Sequence, residues 1–230
     1  MLSWGAYSKG VVMLWWMFDE SYQHSKETGH ASLVTVAGCA ATAEDWYSLT
    51  LDWAAALEQY QIPAFHMTDF EANRGEFDGW EKTPDRRRSL LSSLLDTAGR
   101  HVHHFWGVAR RVDNSDGSIA EAYRLCVDDM VKDLARDLHF RLGQKFALVF
   151  ARHRNFDPGL VRQAIERQYP ERFGSVSSDD PNAMCPLQVA DLVAFEVRCK
   201  QRDRDGERYP FRRLRDAARA ADGTFSLSWH

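Results

Sequence analysis

Carboxylates set into apolar surroundings are the features of this sequence most able to do chemistry. The run Val11–Phe18 is the longest apolar stretch in the chain, and it ends on the paired acids Asp19 and Glu20. A second acid, Asp191, interrupts the apolar run Val189–Phe195, with Gln188 one turn earlier on nearly the same side. A carboxylate in an apolar element costs desolvation unless a cation or hydrogen-bond donors meet it. A third group, His66, Asp69 and Glu71, falls within the string FHMTDFE. Oxygen ligands with a single imidazole suit Mg2+ or Mn2+, whereas a zinc site favours cysteine and several histidines. Taken singly, each group also has a plain structural reading: turn acids, a helical Asp facing water, and a capped loop packed by Phe65, Phe70 and Trp80.

These residues must be positioned by elements that hydrophobic period and turn chemistry make legible. Val11–Phe18 lacks helical spacing and reads as a buried strand, and Ser32–Cys39 as a second strand returning in a hairpin. Thr42, with Glu44 and Asp45 after it, caps a helix running to about Tyr60; its apolar stripe is Trp46, Leu49, Trp53, Ala56, Leu57 and Tyr60. Phe65–Trp80 is irregular. Helices are expected over 83–98, 118–142, 157–169 and from Pro186 onward, with strands at 105–112 and 145–150 and a short edge strand near Val176. Strands alternating with helices, after a leading meander, define an α/β fold with a mixed central sheet flanked by helices. Residues 1–10 read as a leader and 11–230 as a single domain.

Composition narrows the classes. The chain has 230 residues, 44% hydrophobic and 27% charged, with eight Trp and thirteen Phe, enough bulky material for a substantial core. No apolar run approaches the roughly 20 residues of a membrane span. Cys39, Cys126, Cys185 and Cys199 are scattered without a CxxC pair and read as reduced thiols, which points to the cytoplasm. A net charge of −4 argues against a protein that coats nucleic acid by bulk attraction. Yet Arg198–Arg215 carries eight Lys or Arg against three acids, a local +5 beside −9 for the rest, which suits an enzyme acting on phosphates. A solvated helical face explains the same charges. No GxSxG, P-loop or GxGxxG string occurs. Arg86–Arg88 reads as a charged helical face. His101, His103 and His104 lack a third ligand for metal, and Trp15 and Trp16 read as core and partner-facing respectively.

FDES (Phe18–Ser21), FHMTDFE with GEFDGW (Gly75–Trp80), and PLQVADLVAFE (Pro186–Glu196), in this order, resemble the bacterial family called domain of unknown function 3800 over nearly the whole chain. The resemblance implies an RNase H-like fold, with acids on adjacent central strands and on a late helix. In that arrangement Asp19 is the first-strand acid and Asp191 the late-helix acid. Glu20 and Asp69 are neighbours in the cluster, and His66, Glu71 and Gln188 belong to its surroundings. Nucleases of this fold use two divalent ions, Mg2+ or Mn2+, for in-line phosphoryl transfer.

One departure matters. The strand KFALVF should end in an acid that helps to hold metal, but Ala151 stands there. Either an acid has been replaced or the member is naturally degenerate. Two readings follow: a metal-dependent nuclease impaired at Ala151, with Asp19, Asp69 and Asp191 as metal ligands, Glu20 assisting and nucleic acid tracked by the Arg198–Arg215 segment, or an inactive pseudo-nuclease that binds nucleic acid or protein.

Overall fold

The computed structural model describes residues 13–24, 31–112, 119–136, 145–152, 157–203, 206–221 and 223–229. Residues 1–10, the end of the helix expected over 118–142, and Arg204 lie outside them. Strand β1 (Leu14–His24) pairs antiparallel with β2 (Ala31–Ala41), and β2 antiparallel with β3 (His104–Arg111). On its other side β1 runs parallel to β4 (Phe146–Ala151), and β4 parallel to β5 (Phe173–Asp179). β6 (Thr224–Trp229) adds parallel to β3, giving the order β5-β4-β1-β2-β3-β6. This is the mixed sheet expected: an antiparallel meander, with parallel strands on the far side of the first.

Helices α1 (Ala43–Gln59), α2 (Met67–Ala72), α3 (Pro84–His101), α6 (Cys185–Arg202) and α7 (Tyr209–Ala220) build one side of the sheet. α4 (Ile119–Arg136) and α5 (Pro158–Gln168) cover the other. Caps fall where side chains demanded them. Thr42 accepts the N–H of Asp45 at 3.2 Å, and Asp157 that of Gly159 at 2.7 Å. The buried stripe of α1 is Trp46, Leu49, Trp53 and Leu57.

Several expectations are corrected. Asp19 and Glu20 do not end the first strand; β1 continues to His24 because β2 pairs with it as far as Ala31. Trp16 is the core residue, stacked on Phe18 at 5.5 Å, while Trp15 is only partly buried. His101 closes α3 instead of sharing a strand with His103, and its Nε2 lies 3.0 Å from Asp52. Arg86 and Arg88 are exposed on α3, as a charged helical face requires, while Arg87 is half-buried. Arg86 donates to the Tyr60 carbonyl at 2.9 Å and lies over Trp80. Arg87 donates to the Phe70 carbonyl and to Asn73. Together they fasten the 60–82 segment to α3.

Candidate carboxylate site

Side chains alternate faces along a strand, so the neighbours Asp19 and Glu20 point to opposite sides of the sheet. Met17 packs in the core beneath α6 and Phe18 in the core beneath α4. Asp19 therefore faces α6. Glu20 faces α4, where its charge helps to push the buried Tyr123 hydroxyl upward, second to burial itself. Expecting Glu20 in the same cluster as Asp19 is thus corrected by strand parity alone.

α6 lies across β1, β2 and β3, and all its residues from Pro186 to Val197 are buried. It delivers Asp191 to the face on which Asp19 stands. The Asp191 carboxylate accepts the Met67 N–H at 2.6 Å, and the half-exposed His66 lies 3.5 Å away through Nδ1. Asp19 accepts the Glu20 N–H at 2.8 Å. Burial raises the Asp19 carboxyl well above the ordinary carboxylate range, and the facing charge of Asp191, then that of Glu20, adds to the rise. Asp191 is also raised, chiefly by burial, against the pull of His66 and the Met67 N–H. Two acids that are 172 positions apart in the chain thus sit close enough for the charge of Asp191 to oppose ionisation of Asp19.

Ala151 is where the resemblance placed it. Phe150 is in register with Phe18, so the next residues along, Ala151 and Asp19, stand side by side on adjacent parallel strands. Ala151 packs in the core beneath α6 and is 2% exposed. Asp179 on β5 is in register with Ala151. It escaped notice in the sequence, where it lies in a serine-rich stretch without apolar alternation. At a strand spacing of about 4.8 Å it stands about 10 Å from Asp19, backbone to backbone.

The other candidates divide. Asp69 is near enough to raise Asp191, but it is 44% exposed and lies 3.4 Å from Arg74. Glu71 turns away from the acid pair to Arg208 at 2.7 Å and Arg87 at 3.4 Å. Gln188 does not partner Asp191. Its Oε1 accepts the Trp53 indole N–H at 2.9 Å and the Phe65 N–H at 3.0 Å, and its Nε2 donates to the Pro181 carbonyl at 3.0 Å. Gln188 is a buried tie between α1, the segment leading into α2, and the turn before α6.

Among the described residues no three His, Cys, Asp or Glu side chains gather closely enough to hold a metal ion. The donor set therefore fits a hard divalent cation in part. Two facing carboxylates are what Mg2+ commonly takes from protein when water and phosphate oxygens supply the rest. The resemblance implies a third acid where Ala151 stands.

The basic arm is largely self-neutralised. Arg202 pairs with Asp203 at 2.6 Å, Lys200 with Glu207 at 4.0 Å, and Arg213 with Asp96. Arg215 pairs with Glu207 and Asp216. Arg208 bridges Glu71 at 2.7 Å and the buried Glu196 at 3.3 Å. The expectation that the whole segment offers free charge to a phosphate backbone is corrected accordingly.

A strand-borne acid facing a late-helix acid, in a mixed sheet of this order, is the arrangement that the resemblance implied. No family model matches the chain, and no curated protein matches it. Among solved structures it is similar to the ribonuclease H2 from Pyrococcus horikoshii, at 13% identity and a TM-score of 0.38, over 92% of this chain and 100% of that one. No helix of the described residues is long and apolar enough to cross a membrane.

Proposed function

We propose that the chain is a divalent-metal-dependent nuclease, a member of the family its three strings resemble, working at a site that lacks one acid. The observation that carries this reading is the convergence of Asp19 and Asp191 on one sheet face, where the Asp191 charge adds to the rise that burial gives the Asp19 carboxyl. Two desolvated acids held face to face oppose folding unless a cation joins them, and a hard cation is the partner that oxygen pairs select. Asp19 and Asp191 would hold Mg2+ or Mn2+, which would supply Lewis-acid stabilisation of a phosphoryl oxygen. The Met67 N–H fixes one oxygen of Asp191 and leaves the other for the shared space. His66 stands half-exposed at the rim beside the pair. Asp69 stands at the same rim and would join as an outer ligand once released from Arg74. Ala151 favours a second reading, a pseudo-nuclease that binds without cleaving.

Asp19→Asn tests the assignment. The folded pKa of Asp19 is raised, so the unfolded chain loses that proton first as pH rises. The group's stabilising contribution is therefore present below the unfolded value of about 3.9 and lost as pH rises through the folded value. The variant should unfold at a higher temperature than the parent at neutral pH without metal, with the gap closing in acid. Its Mn2+ affinity, read by calorimetric titration, should collapse. Unchanged Mn2+ affinity would remove Asp19 from the site.

A further inference from the structure

Arg198 differs from the neutralised cations of its segment. Among the described residues no ion pair or hydrogen bond reaches its side chain, and its Nε is shut off from water without an acceptor. Its guanidinium lies 4.5 Å from the centre of the Phe195 ring, which holds the planar group in one orientation. Arg202 and Arg208 are the other cations near it, while Cys199 and Asp191 are the groups that favour its charge. The Nη groups of Arg198 are neither shut off from water nor engaged by an acceptor among the described residues, and so stay open to an arriving anion. Arg198 also follows Asp191 by seven residues on α6, two helical turns and about 10 Å further along the same face. The two are close enough that the cation lowers the proton affinity of Asp191.

We propose that Arg198 binds a backbone phosphate of nucleic acid beside the phosphate presented to Asp19 and Asp191, and so sets the position of the strand along α6. This rests on the nuclease reading and narrows the phosphate contact from the whole basic segment to one oriented side chain. A guanidinium fits a phosphate with two parallel N–H donors, a match that the ammonium of lysine does not reproduce.

The test is fluorescence anisotropy of short fluorescein-labelled single-stranded DNA and RNA bound to the full chain in Mn2+, across a salt series. Arg198→Gln should weaken binding about tenfold and reduce the slope of log affinity against log salt by about 0.7. Arg198→Lys keeps the charge and the aliphatic stem; it should keep the slope, lose affinity, and carry the test if the glutamine variant does not fold. Arg212→Gln, at an exposed position on α7, is the comparison for net charge. An equal loss from Arg212→Gln would overturn the inference, as would unchanged affinity and slope in both Arg198 variants. Failure of the parent chain to bind either oligonucleotide would overturn the nuclease reading along with it.

Discussion

If the chain is the nuclease proposed, Ala151→Asp is expected to bind Mn2+ at least about tenfold more tightly than the parent and to cleave short nucleic acids in its presence. The new carboxylate would start from a backbone position beside Asp19, on the same sheet face, where Ala151 is 2% exposed. Without metal it should cost stability, because a third desolvated acid joins two that already resist ionisation. A loss of about 1–3 kcal/mol is expected in the metal-free variant. Mn2+ at a hundred times its dissociation constant would return about 2.7 kcal/mol by linkage. The signature is therefore paired: a lowered melting temperature without metal that Mn2+ restores, and turnover that appears with it. A variant destabilised equally with and without Mn2+, and still inactive, would favour the pseudo-nuclease.

Arg208→Ala has the second-largest expected effect, and its origin is different. Glu196 is 1% exposed, and Arg208 is the cation that reaches it, while also holding Glu71 of α2. Removing one partner of a buried pair strands the other charge, at a typical cost of about 3–5 kcal/mol. The pH dependence identifies the cause. Burial lifts the Glu196 carboxyl to about 7 even with Arg208 in place, from an ordinary value near 4.5. The folded protein therefore holds that proton more tightly than the unfolded chain, and stability falls as pH rises through the window between the two values. Without Arg208 the window should widen upward. Urea unfolding at pH 5 and pH 8 should show a small deficit in acid and a large one in base, and Glu196→Gln should remove most of the difference. A deficit independent of pH would mean that Arg208 acts through packing on Phe195.

How much of this was legible beforehand depended on which physical signal each residue carried. α1 was readable because its cap, early acids and apolar stripe all point to one helix. The sheet's mixed character followed from alternation and turn chemistry. α7 and β6 were missed. Phe211, Leu214 and Ala218 form a buried stripe in α7, but arginines crowd the same segment and drew attention to charge. β6 carries Phe225, Leu227 and Trp229 at alternate positions, a period-two signal in a segment that was given no element. Within the site, the sequence singled out Asp19, Asp191 and the vacancy at Ala151 through the resemblance, and register then set Ala151 beside Asp19. What it could not supply was facing. Whether Glu20 joins Asp19 depends on whether the strand continues past them, and β2, not the local residues, decides that. Gln188 lies one turn before Asp191, but helical adjacency says nothing about the loop and indole donors that reach it from other elements.

Mutual repulsion between two distant carboxylates can be measured without substrate or metal, through a cycle of Asp19→Asn, Asp191→Asn and the double variant unfolded by urea at neutral pH. Asparagine at 191 can still accept the Met67 N–H through its amide oxygen, so the cycle isolates charge. If the acids share one space, either single substitution relieves the same repulsion, and the double variant should fall short of the sum by at least about 0.5 kcal/mol. Effects that add to within experimental scatter would place the two carboxylates in separate environments and leave no common point at which a cation could sit.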